Sequence, residues 1–203
     1  MTRTVRLAAL ALLAPTLALA DDPPKPSPKM TTANDLVYTK AGDDELKLDL
    51  ARPEGDGPFP AVLVIHGGGW SSGNKASNRG ALAEFAKRGY VAVSPQYRFA
   101  PKHTFPAQVH DVKAAVRWLR AHKDEYKVDP DRIGAVGFSA GGHLSLMQGT
   151  APRAGDPKSK DPVERESSRV AAVGCFFPPT DFLNYGKEGE SAVGNGTLKD
   201  FKA

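Results

Sequence analysis

The sequence predicts an α/β domain built on a mainly parallel sheet, and three observations carry that prediction. Apolar runs of strand length recur at Ala61-Val62-Leu63-Val64-Ile65, Tyr90-Val91-Ala92-Val93, Ile133-Gly134-Ala135-Val136-Gly137-Phe138 and Val170-Ala171-Ala172-Val173-Gly174-Cys175-Phe176. Continuous hydrophobicity of this kind suits strands buried on both faces, as in a parallel sheet. Helical stripes lie between the runs: Leu82, Phe85 and Ala86, then Val112, Ala115, Val116 and Leu119. Strands alternating with amphipathic helices form a sheet wound on both sides. Finally, 203 residues with 40% hydrophobic and 25% charged side chains suit one globular domain with a substantial core. A peptide hormone, a multi-domain machine and a disordered tail are excluded on the same grounds.

Taken in order, residues 1–20 open with Arg3 and Arg6, continue with an apolar run from Leu7 to Leu19, and end in the small residues Ala18-Leu19-Ala20. This is the pattern of a signal peptide cleaved after Ala20, and it implies a secreted or periplasmic protein. The run is too short to span a bilayer and contains Pro15. Residues 21–33 are expected to form a Pro-rich linker, since four of the nine residues from 21 to 29 are proline. The domain is expected over residues 34–203. No second apolar stretch is long enough to cross a membrane. The formal net charge of +4 falls to +2 once Arg3 and Arg6 are removed, which gives no electrostatic case for nucleic-acid binding. Cys175 is the only cysteine, so an intrachain disulfide and a cysteine-built zinc site are both excluded.

Within the domain, Leu36-Val37-Tyr38 and the alternating Leu46-Lys47-Leu48-Asp49-Leu50 read as a hairpin around Gly42-Asp43. With the four apolar runs they make six strands. Gly89 ends the first helix, and the second is expected over residues 107–123. Residues 152–169 hold nine charges without periodicity and read as a solvated surface loop, or as a loop on the substrate side.

Two motifs bear on chemistry. Gly137-Phe138-Ser139-Ala140-Gly141 fits G-x-S-x-G, directly after an apolar strand and before a small-residue helix start. Such a turn must be very tight, and glycines two positions either side of the serine remove side chains that would clash. Ser139 Oγ would project from the carboxyl edge of the sheet, with the amide of Ala140 aimed at a developing oxyanion. A helix-capping serine is the alternative. His66-Gly67-Gly68-Gly69-Trp70 follows the strand at 61–65, where consecutive glycines let backbone N–H groups turn inward as the other half of an oxyanion hole. A flexible turn or a phosphate loop would explain these glycines alone, but neither accounts for the serine elbow two strands later.

With these motifs the chain resembles an α/β-hydrolase, a doubly wound, mainly parallel sheet, of the H-G-G-G branch that holds hormone-sensitive-lipase-like and carbohydrate-esterase-like carboxylesterases. Tyr97-Arg98-Phe99-Ala100-Pro101, Phe105-Pro106-Ala107, the helix from Asp111 to Leu119 and Asp129-Pro130-Asp131-Arg132-Ile133 are similar to segments of that branch, over roughly residues 59–182. The resemblance implies Ser139 as nucleophile and the amides of Gly68, Gly69 and Ala140 as oxyanion donors. It implies that Gly67 shapes the loop and that His66 supports it. The reaction would be hydrolysis of a small-molecule or carbohydrate ester through an acyl-enzyme. No metal and no organic cofactor is implied.

A serine hydroxyl needs a base, oriented by an acid, and in this fold both follow the serine in sequence. The family places them after its seventh and eighth strands, whereas the sixth expected strand here is followed closely by Ala203. The reading is therefore of a fold with its first six strands only, the last two absent, and of a product that folds poorly alone and is nearly inactive. His143 lies one turn past Ser139, on the same helix. His103, His110 and His122 suit loop and surface roles, and Asp181 suits a cap. Two further readings stay open: a non-catalytic binding module of hydrolase-like fold, and a peptidase of the same fold. Oligomeric state is not legible.

Overall fold

The computed structural model describes residues 29–184 and 188–189. The expected signal peptide, residues 21–28 of the linker and most of the segment after 184 lie outside the described residues. Six strands form one sheet: β1 Met30–Ala41, β2 Asp44–Pro53, β3 Phe59–Ile65, β4 Val91–Pro95, β5 Val128–Phe138 and β6 Ala172–Phe176. Their spatial order is β1-β2-β4-β3-β5-β6. The pairs β3/β4, β3/β5 and β5/β6 are parallel, while β1/β2 and β2/β4 are antiparallel. The sheet is the doubly wound, mainly parallel one that the sequence predicts.

Four helices accompany it: α1 Arg79–Lys87, α2 Ala107–Ala121, the short α3 Lys123–Tyr126 and α4 Ala140–Thr150. The pleat of β3 shows why its run is apolar throughout. Val62 and Val64 join Leu82 and Ala86 of α1 on one face of the sheet. Ala61, Leu63 and Ile65 join Val112, Val116 and Leu119 of α2 and Leu144 of α4 on the other. Period-two side chains thus feed two cores, which only a strand covered on both sides requires.

Two boundaries differ from expectation. β1 begins at Met30, so residues 30–33 of the expected linker pair with Leu50 to Pro53. Thr31 and Thr32 are β-branched and fit a pleated edge strand, a preference outweighed in the sequence by the prolines before them. β5 begins at Val128, five residues before its apolar run, where the amide of Phe59 donates to Lys127 O (2.7 Å).

Sheet order reverses at β3. The chain leaves it for β4 on one side, and β5 later returns on the other, which places the loops after β3 and β5 side by side at the carboxyl edge. That is where open α/β sheets bind ligands.

Candidate active site

The register Ile65↔Gly137 ends the β3/β5 ladder. The next residues of the two strands are therefore neighbours, and they belong to the two motifs. A Cβ on Gly67 would lie 3.0 Å from Phe138 O and 3.4 Å from Ser139 Cβ, so the glycine loop lies against the serine itself.

Ser139 occupies φ 52°, ψ −122°, a strained backbone at the start of α4. Its side chain makes no capping bond, which removes the capping-serine alternative. The elbow is held by Ser139 N donating to Phe176 O (3.0 Å) and His143 N to Ser139 O (3.0 Å). Both flanking glycines are sterically required. A Cβ on Gly137 would stand 2.3 Å from Gly141 O, and one on Gly141 would stand 2.2 Å from Ile65 O.

In the loop after β3, Gly68 and Gly69 take φ of +117° and +57°. Gly68 O accepts from Ser71 N (3.1 Å), Ser72 N (3.0 Å) and Ser72 Oγ (3.0 Å). In a planar trans peptide the N–H points opposite the C=O, so Gly69 N–H is directed away from that turn. Among the described residues the amides of Gly68, Gly69 and Ala140 donate to no protein acceptor. These three amides lie on the two loops that meet at Gly67 and Ser139.

His66 is buried beneath this loop. Its Nδ1 lies 2.8 Å from Gly67 O, the ring stacks on Tyr97 at 4.4 Å, and desolvation lowers its pKa. Nδ1 therefore donates and the imidazole is neutral. Tyr97 was not singled out as a site residue by sequence reasoning. Its hydroxyl donates to His66 O (3.0 Å) and to Gly67 O (3.4 Å), and so fixes the loop from β4. Gly73 was also missed: a Cβ there would strike His66 Nδ1 at 2.4 Å. The Tyr97-Arg98 segment was the available signal for the first, and the second had none.

Among the described residues Ser139 Oγ makes no hydrogen bond, to a histidine or to any other group. His143 stands edge-on to Trp70 and to Phe182, both at 5.3 Å, and burial lowers its pKa. His103 Nε2 is 2.8 Å from Asp44 Oδ2, His122 Nδ1 is 2.8 Å from Trp118 O, and His110 is exposed. Asp181 is exposed too, its carboxylate accepting from Leu183 N, Asn184 N and Asn184 Nδ2 at 3.0 Å each. That is a local cap. Among the described residues no group of three His, Cys, Asp or Glu could hold a metal, and no helix is long and apolar enough to cross a membrane.

A doubly wound sheet with a serine on a strained strand–helix elbow, packed against a glycine loop from the neighbouring strand, defines the α/β-hydrolase class. The model of the BD-FAE family matches residues 48–199, and the chain belongs to that family. It is 39% identical over 134 residues to a probable carboxylic ester hydrolase, LipM, of Mycobacterium tuberculosis, covering 64% of this chain and 31% of that protein. Among solved structures it is similar to an acetyl ester-xyloside bifunctional hydrolase from Caldicellulosiruptor lactoaceticus. There the TM-score is 0.69 at 25% identity, covering 90% of this chain and 65% of the other. A propionate-bound thermophilic esterase from Thermogutta terrifontis gives a TM-score of 0.65 at 34% identity, over 78% of this chain and 58% of the other. The chain thus spans about a third of the length of that curated relative and less than two thirds of these structures.

Proposed function

We propose that the chain carries the nucleophile and oxyanion half of a serine carboxylic-ester hydrolase. Ser139 Oγ attacks the ester carbonyl carbon, and the hydroxyl proton passes to a base. The tetrahedral oxyanion rests on the amides of Gly68, Gly69 and Ala140. The alcohol departs with a proton, and water then cleaves the acyl-enzyme. Gly67 gives the loop its close approach to the serine, while neutral His66 and Tyr97 position it. The observation that carries this reading is the close approach of Gly67 to Ser139, where an added Cβ would lie 3.4 Å from Ser139 Cβ, so that two motifs from separate strands meet at one point. The Thermogutta esterase is also known phosphonylated by sarin, which agrees with nucleophilic catalysis in a relative. Small acyl esters, including esters of sugars, are the substrate class we propose, acted on outside the cytoplasm.

Among the described residues no histidine bonds Ser139 Oγ, which supports slow ester turnover by these residues alone. The same observation favours a second reading, a non-catalytic binding module. The test is labelling with a fluorophosphonate probe, with adduct mapping by mass spectrometry, alongside p-nitrophenyl acetate and the matching anilide. We expect an adduct on Ser139 that Ser139→Ala abolishes, and weak hydrolysis of ester over anilide. An adduct pattern unchanged in Ser139→Ala would refute the nucleophile. Ligand binding that survives Ser139→Ala, with no turnover in either protein, would establish the binding module. Preference for the anilide would indicate a peptidase.

A further inference from the structure

A second concavity lies outside the catalytic loops, between α2, the end of β1 and the segment 152–169. It has a volume of about 250 Å³ and is lined by Arg98, Lys113, Arg117, Arg153, Asp111 and Glu164, among others. Its charges do not cancel. Asp111 is taken up by Arg98, which donates to it from N, Nε and Nη2 at 2.7–3.1 Å. Glu164 is taken up by Arg117 Nη1 at 2.6 Å. Lys113 and Arg153 remain, and neither side chain has an acidic or hydrogen-bonding partner among the described residues.

Lys113 is the unusual group. It is only 6% exposed, yet the charges that act on it are the guanidinium groups of Arg153 and Arg117. Lys113 and Arg117 also form a like-charge i,i+4 pair on α2, an arrangement that weakens a helix. Arg117 Nε is buried without a hydrogen-bond partner. Arg153 is held at the rim because its amide donates to the buried Ser168 Oγ (2.9 Å) and its carbonyl accepts from Ser168 N (2.9 Å). Two unpaired cations, Lys113 and Arg153, line one small cavity beside the Glu164-bonded Arg117, and this arrangement lacks only a compact anion.

We propose that this cleft binds a compact oxyanion, phosphate or a sugar carboxylate, between Lys113, Arg117 and Arg153. Two charge-assisted hydrogen bonds are available to it, from the Lys113 ammonium and from the Arg153 guanidinium, with the charge of Arg117 beside them. The site is independent of the ester chemistry, since none of its residues belongs to the elbow or the glycine loop.

The test is isothermal titration of the full chain with phosphate and, separately, with glucuronate, against chloride at matched ionic strength. Arg153→Gln and Lys113→Met are compared with Lys87→Gln, which makes the same charge change on α1 across the sheet. Circular dichroism checks the fold of each. We expect saturable binding by the parent and by Lys87→Gln, weakened about tenfold in Arg153→Gln and in Lys113→Met, the loss of one charge-assisted bond. Arg153 lies on an exposed segment, so its variant reports even if Lys113→Met fails to fold. Tighter binding of phosphate than of glucuronate would name the first source, and the reverse order the second. No heat beyond that of chloride, or equal weakening in Lys87→Gln, would overturn the proposal.

Discussion

Steric fit around Ser139 leaves no room for a methyl group. A Cβ on Gly141 meets the end of β3 at 2.2 Å, and the atom it meets is backbone, which cannot swing aside. Gly141→Ala should therefore cost about 2–4 kcal/mol, read as a lower urea midpoint. Gly80 offers the contrast: it lies in α1 with nothing within 4 Å of an added Cβ. Gly80→Ala should stabilise by about 0.5–1 kcal/mol in the same assay. Two histidines add a pH dependence. Desolvation holds His66 and His143 below their ordinary pKa of 6.5. The unfolded chain then binds more protons than the folded one as pH drops through that value. Stability contributed by the neutral rings is present above it and lost below. The melting temperature should fall between about pH 7.5 and about pH 5.5, and His143→Phe should make that slope shallower. Ser139 and its glycines were legible because a tight turn forces particular residue types at fixed local spacing. Tyr97 and Gly73 were not, because each acts by touching His66 or its loop, a contact that exists only once β4 and the loop are folded together.

Elements are joined here by a few buried polar groups whose partners come from distant sequence. Arg98 follows β4 and Asp111 lies in α2, and the carboxylate is 2% exposed with Arg98 Nη2 at 2.7 Å. Removing one partner strands the other's charge. Asp111→Ala should cost about 3–5 kcal/mol in chemical denaturation. Asp49 in β2 does similar work on the opposite side, where Lys75 and Arg79 both bond its carboxylate and the amide of Asp35 donates to it (3.1 Å). Those bonds lower its pKa against the upward push of burial. Such pairs have no local pattern, and the sequence gives no sign of them. Hydrophobic period did reveal β3, β4, α1 and α2 within a few residues of their ends. It failed at the start of β1 and at the start of β5, where the strand residues are polar or include Pro130 and pairing with a neighbour decides the conformation.

At the scale of the whole molecule, the asymmetry of the sheet stands out. β1 closes one side with twelve residues, whereas β6 on the other has five and is exposed at Ala172, Cys175 and Phe176. No strand among the described residues pairs with the outer side of β6. Phe176 stacks on Phe138 at 4.8 Å, Phe177 lies beside them, and the three rings are 49%, 40% and 75% exposed. Among the described residues this edge is unpaired and lies next to an aromatic cluster, the kind of surface that favours self-association. In sedimentation the chain should run larger than a monomer at micromolar concentration, and Phe176→Lys with Phe177→Lys should shift it toward monomer. An unchanged monomer peak for the parent chain would overturn this.

The pairing of Ile65 with Gly137 joins positions 72 residues apart. It therefore also sets a schedule. A chain made from its amino terminus exposes the glycine loop long before the serine exists, and Gly67 must wait for Phe138 and Ser139 to pack against. Closing so long a loop carries an entropic cost that β3 and β4 cannot offset by themselves. No half-built site precedes the arrival of β5. Ser139 and the glycine loop come into register together, when β5 pairs with β3.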